Sequence, residues 1–196
     1  MSIEIKFGVP KNQRKTVAKM FHESFGDKYD LMFGGKTKTV AFVSACLDDS
    51  KTIVALKDGV TVGFSGLQHC GKSFIEDNVN ELVRVFGLAS FKVMLIRSMF
   101  VFKRLGGDNN VLLLEALAVS AKERNKGIGQ KLLQFTIDYA KSKKFSHLKL
   151  DVINTNPKAK RLYERIGFVE SKVQKIPYPF NVIMGFDSMS EMVYKL

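Results

Sequence analysis

Apolar residues recur along this chain with two periods, and the switches between them predict an α/β succession of elements. Ile3 and Ile5 alternate with polar neighbours, so residues 2–9 read as a strand. Val17, Met20, Phe21 and Phe25 then fall on one face of a helix over residues 10–25. A loop rich in Gly and Asp follows, and a shorter helix is predicted over residues 37–47. Residues 51–56 and 60–67 have strand character and meet at Lys57-Asp58-Gly59, a strong hairpin signal.

Residues 81–105 are mostly apolar, but Arg84, Lys92, Arg97, Lys103 and Arg104 interrupt them. A membrane span needs about 20 nearly uncharged residues, so this stretch does not qualify. It reads as a helical insertion, about residues 74–106, packed on the core or against a second subunit in a possible homodimer. A pocket lid and a membrane-surface face are the other readings. Residues 111–119 form a nearly continuous apolar run, as in a strand buried on both faces, and Glu115 is its exception. The next helix, residues 127–144, buries Ile128, Leu132, Leu133, Ile137 and Ala140, while Lys141, Lys143 and Lys144 complement its negative end. Strands are predicted at 148–153, after Phe168 and at 191–196.

Between the apolar strand and that helix lies a basic turn punctuated by Gly127 and Gly129. Glycines let backbone approach an anion, and the first N–H groups of a helix lack internal partners at its positive end. Arg124, Lys126 and Lys131 surround the turn with mobile positive charge. A dinucleotide fingerprint needs a third glycine, and position 132 is Leu. A P-loop needs Lys-Ser/Thr directly after its last glycine, and Gln130-Lys131 stands there instead.

Arg124, Gly127 and Gly129 match the pattern Gln/Arg-x-x-Gly-x-Gly/Ala. Downstream, Asn156, Ala159, Leu162, Tyr163, Gly167 and Phe168 match Asn-x-x-Ala-x-x-Leu-Tyr-x-x-x-Gly-Phe. In the second segment Asn156 is placed to cap a helix, Pro157 suits its first turn, and Gly167 its end. Ala159, Leu162 and Ile166 would form its buried stripe. The two segments, within residues 111–168, resemble motifs A and B of the GCN5-related N-acetyltransferase (GNAT) family. Ala121 departs from the proline common there, and Asn125 from the usual Gly or Arg.

The resemblance implies a GNAT fold, an α/β domain around a twisted mixed sheet, with residues 1–196 as a single domain. It implies acetyl-CoA as co-substrate, its pantetheine arm along Leu117, Ala118 and Val119. Its pyrophosphate would lie on Arg124, Asn125, Lys126, Gly127, Ile128, Gly129 and Gln130, with Asn156 nearby. Family precedent makes Tyr163 the general acid at the departing sulfur; simple packing against the cofactor is the competing role. Glu115 is the candidate base on residue grounds, because an acid inside an apolar strand must be paired, neutral or functional. Alternation would put it on the face of Leu117 and Val119, and a structural salt bridge is the other reading. His22, His69 and His147 sit in no catalytic spacing.

Composition narrows these expectations only a little. Cys46 and Cys70 lack metal-ligand spacing and the density of a disulfide scaffold, which predicts a reducing, cytoplasmic setting without metal. The start of the chain has no apolar signal core. A formal net charge of +12 suggests anionic partners, and the alternative function is a non-catalytic module that binds anions or nucleic acid. Lys and Arg are scattered, however, and no nucleic-acid motif is recognisable. The acceptor would be a small-molecule amine or a peptide, with net charge counting against polyamines. Residues 176–190, with Pro177, Tyr178, Pro179, Phe180 and Phe186, are candidates to wall its pocket.

Overall fold

Asp58 and Gly59 take φ values of 51° and 78°, as a two-residue type I′ turn demands, and they join β2 (Thr52–Lys57) to β3 (Val60–Gln68) as predicted. The structure, a computed structural model, describes residues 2–76, 78–91, 93 and 109–196. β1 (Ile3–Phe7) pairs antiparallel with β2, and β4 (Val111–Val119) antiparallel with β3. β5 (His147–Ile153) lies parallel to β4, and β7 (Ser188–Lys195) and β6 (Val169–Lys175) complete the sheet. The seven-stranded order is β1-β2-β3-β4-β5-β7-β6. This mixed sheet with helices on both faces is the fold the resemblance implies.

On one face α1 (Arg14–Phe33), α2 (Lys36–Cys46) and α3 (Val79–Phe86) bury Val17, Phe21, Phe42 and Phe86 with Val54, Phe64 and Ala116. On the other, α4 (Ile128–Ser142) and α5 (Pro157–Ile166) join Leu132, Leu133, Ile137 and Tyr163 to Ile53, Leu112 and Leu148. α4 is the crossover that a parallel β4–β5 pair requires. Its predicted buried set is found: Ile128, Leu132, Leu133, Ile137 and Ala140 are all buried.

Several elements differ from expectation. α1 runs through Gly26 to Phe33, where a loop was predicted. Gly26 does not break it; a Cβ there would lie 2.7 Å from His22 Nε2, so the glycine admits the ring one turn earlier. The helix after residue 74 begins only at Val79, where the Asn78 side chain accepts from Glu81 N–H at 3.1 Å. Phe74 and Ile75 are instead drawn to the end of α2, with Ile75 bridging Leu47. Residues 92 and 94–108 of the apolar stretch lie outside the described residues. Of the rest, Leu82, Phe86 and Val93 are buried, while Val83, Leu88 and Phe91 are exposed. Residues 176–190 contain a short helix, α6 (Phe180–Met184).

β4 alternates buried and half-buried residues; it is not buried throughout. The pairing with β3 runs Gly66↔Ala116 and then Leu67↔Leu114, so Glu115 is the extra residue of a β-bulge. Leu112 and Leu114 therefore face the α4 side, whereas Ala116 and Ala118 face α1. No helix among the described residues is long and apolar enough to cross a membrane.

Candidate active site

The β4–β5 ladder runs from Val111↔His147 to Leu114↔Leu150 and stops there. β5 nevertheless continues to Ile153 on β7, and β4 continues to Val119 on β3. The two strands thus part in mid-sheet, and the β5-facing edge of β4 beyond Leu114 has no strand partner among the described residues. A cavity of about 330 Å³ fills the opening. Glu115 and Leu117 line it from β4, Asp151 and Ile153 from β5, Asn156 and Tyr163 from α5. Glu23 to Gly26 from α1 and Met184 and Gly185 from α6 close it. A cavity of about 500 Å³ at His147 and Lys195 contains none of the predicted site residues.

The basic turn sits at the end of β4. Gly127 caps α4 in the left-handed region at φ 78°, and no side chain caps the helix. The first intrahelical bond is from Lys131 N–H to Gly127 C=O, 3.0 Å, which leaves the N–H groups of Ile128, Gly129 and Gln130 without a helical acceptor. Asn125 also has positive φ, 63°, tolerable for Asn. Gly129 has ordinary space for a Cβ, 3.7 Å from Leu162 and 3.8 Å from Val119. Two of the three cations predicted to be mobile are tied down. Arg124 Nε donates to Val119 C=O at 3.1 Å. Lys126 and Lys57 both grip Glu123, at 3.2 and 2.9 Å, and their hydrogen bonds hold its carboxyl below the usual range. The anion-binding capacity of the turn therefore resides chiefly in backbone N–H groups and the helix dipole.

Asn156 caps α5 as predicted, its Oδ1 accepting from Ala159 N–H at 3.2 Å, while Gly167 ends the helix at φ 110°. The predicted stripe of Ala159, Leu162 and Ile166 is only half-buried. The buried residue of α5 is Tyr163, its ring 5.9 Å from that of Phe168. Burial pushes the Tyr163 phenol up to about 12.

Glu115 lies across the cavity wall from α5, but not on the face that simple alternation gives. Leu117 and Val119 pack with the α4-side core. Glu115 instead accepts a short hydrogen bond from Ser73 Oγ, whose neighbours Phe74 and Ile75 belong to the α1-side core. The bulge breaks the alternation between Glu115 and Leu117, so the carboxylate lies on the α1 side and not with Leu117 and Val119. His22, His69 and His147 line no part of this cavity; desolvation beside Phe145, with Lys51 near, lowers His69.

Three features escaped the sequence. Glu23, Asp151 and Ser73 carry no motif, and only the packing of α1, the parting of β5 and the short bridge at Ile75 bring them to the site. The cavity's described lining holds Glu23, Glu115 and Asp151 and no Lys, Arg or His, although the whole chain is strongly basic.

A mixed sheet that parts beside a glycine-capped helix N-terminus is the arrangement that the resemblance to the GNAT motifs implies. The sequence profile of the Acetyltransferase (GNAT) family matches residues 18–168, and the chain belongs to that family of acetyl-CoA-dependent acyltransferases. It is 39% identical over 66 residues to a protein named probable N-acetyltransferase camello from Xenopus tropicalis, covering 34% of this chain and 30% of that one. It is 38% identical over 60 residues to streptothricin acetyltransferase from Streptomyces lavendulae, covering 31% and 32%. The matched part is thus about a third of these relatives' length. The solved structure of a GCN5-related N-acetyltransferase from Kribbella flavida superposes with a TM-score of 0.66 at 18% identity, over 99% of this chain and 98% of that one.

Proposed function

We propose that residues 1–196 act as one unit that transfers an acetyl group from acetyl-CoA to a primary amine by direct attack. The observation that carries this reading is the parting of β4 and β5 into a cavity shared by Glu115 and Tyr163, beside the bare N-terminus of α4. The residues suit the donor. The unpaired edge of Leu117, Ala118 and Val119 offers backbone groups to an amide-bearing arm. Asn125, Lys126, Gly127, Ile128, Gly129 and Gln130 would hold a pyrophosphate, with Arg124 bracing the turn against β4 and the Asn156 amide N–H₂ beside the opening. Bound acetyl-CoA supplies the activated acetyl group and its thiolate leaving group.

The chain's own groups then handle protons. An alkyl amine in water is an ammonium ion below about pH 10, and the carboxylates of Glu23, Glu115 and Asp151 favour its entry. Local charge outweighs net charge at this distance, since a Debye length is about 8 Å at physiological salt. Glu115 takes the proton that the ammonium ion must lose before its nitrogen can attack, and the second proton, released from nitrogen once the C–N bond has formed, passes to solvent. Tyr163 donates to the sulfur as the C–S bond breaks, and its raised value keeps the phenol protonated throughout the neutral range. A cavity of about 330 Å³ suits a small-molecule amine, or the amine-bearing end of a peptide.

Calorimetric titration tests this reading: acetyl-CoA should bind at one per chain, and Gly127→Asp should weaken it by about 100-fold or more. The substitution puts a side chain at a left-handed position and a negative charge at the positive helix end. Salt-steep binding of duplex DNA with no heat from acetyl-CoA would overturn it in favour of a nucleic-acid-binding module.

A further inference from the structure

Ser73 is half-buried and lies 42 positions before Glu115. Its hydroxyl makes two contacts. Ile75 N–H donates to Ser73 Oγ at 3.2 Å, which fills an acceptor site and leaves the O–H to donate to Glu115 Oε2. The segment that carries it is fixed on two further sides. Asp48 N–H donates to Phe74 C=O and Glu76 N–H to Cys46 C=O, both at 2.7 Å, clamping it to the end of α2. The Phe74 ring lies over Gly66, where a Cβ would come within 2.5 Å. Gly66 is the β3 residue at the bulge that displaces Glu115. The segment that packs on β3 at the bulge is therefore also the one that supplies the donor to the carboxylate.

We infer that Ser73 is a positioning residue of the acetyl-transfer site, holding the Glu115 carboxylate in one rotamer toward the acceptor side; the inference rests on Glu115 as the base. Glu23 on α1, Asp151 on β5 and Tyr163 on α5 are the titratable groups that share its cavity among the described residues. The Ser73 O–H donates to the Glu115 carboxylate, a bond that the ionised group accepts.

Ser73→Ala should move the acid limb of the kcat/KM profile up by about 1 pH unit and lower kcat about 10-fold. Acetyl-CoA Kd should be unchanged, and Ser73→Thr, which keeps the hydroxyl, should restore the limb. In a Glu115→Gln background the Ser73→Ala step should have no further effect on kcat, since coupled residues are not additive. A wild-type limb in folded Ser73→Ala, with the limb lost in Glu115→Gln, would overturn the role of Ser73 alone. A wild-type limb in Glu115→Gln would remove the base reading and this inference with it. If Ser73→Ala is too unstable to assay, failure of Ser73→Thr to keep the wild-type limb decides against the proposal.

Discussion

Tyr163→Phe removes one oxygen from a buried ring that keeps its contact with Phe168, so it should separate chemistry from binding. Single-turnover rates should fall on the order of 10- to 10⁴-fold for a positioned acid, while calorimetric acetyl-CoA affinity stays within about 2-fold. An unchanged rate would reduce Tyr163 to packing. The sequence carried this residue well, because its neighbours supply caps and spacing that any reader can see: Asn156, Pro157 and Gly167. It carried Glu115 less well. Alternation assumes an unbroken ladder, and a bulge opposite Gly66 separates the face of Glu115 from that of Leu117 and Val119.

Among the elements, the short 3₁₀ turn Asp49–Lys51 before β2 shows how a cap couples to pH. The Asp48 side chain accepts from Ser50 N–H at 2.8 Å and Ser50 Oγ at 2.6 Å, and pairs with buried Lys51. Burial acts to raise the Asp48 carboxyl, yet the bonds from Lys51 and Ser50 outweigh it and hold the group below its ordinary value. A carboxyl depressed in the folded state stabilises above its unfolded value, near 4, and loses that stabilisation as pH falls through the folded one. Asp48→Asn should therefore cost about 1–3 kcal/mol at pH 7, and its deficit in urea unfolding should shrink below about pH 4. A deficit independent of pH would show that shape, not charge, matters there. α1 teaches the complementary lesson: Gly26 reads as a stop, but a glycine one turn from His22 is a place to lay a ring.

At the scale of the whole molecule, the sheet is divided where β4 leaves β5. β2, β3 and β4 give Val54, Phe64 and Ala116 to the core under α1, α2 and α3, while β5 carries β7 and β6 away on the far side. A ligand lying in the opening touches both sides and binds only the folded chain. Acetyl-CoA at about 100 times its Kd should thus add about 2.7 kcal/mol to unfolding free energy, seen as a raised Tm that Gly127→Asp abolishes. Equal melting with and without acetyl-CoA would count against the opening as its site. The charge distribution belongs to this scale too. Net charge alone argued against cationic acceptors, but the described cavity lining carries Glu23, Glu115 and Asp151.

Local information settled the elements of this protein: the hairpin at Asp58-Gly59, the buried face of α4, the capped helix of Tyr163 and the glycine that caps α4. Each depends on φ values, caps or periods that neighbours in sequence impose by themselves. Tertiary structure decided what faces what. The bulge at Glu115, the length of α1, the tethering of Arg124 and Lys126 and the meeting of Ser73 with Glu115 all arise from contacts between distant segments. Such contacts leave no period in the chain, because a side chain's direction is fixed by whichever neighbour packs against its backbone.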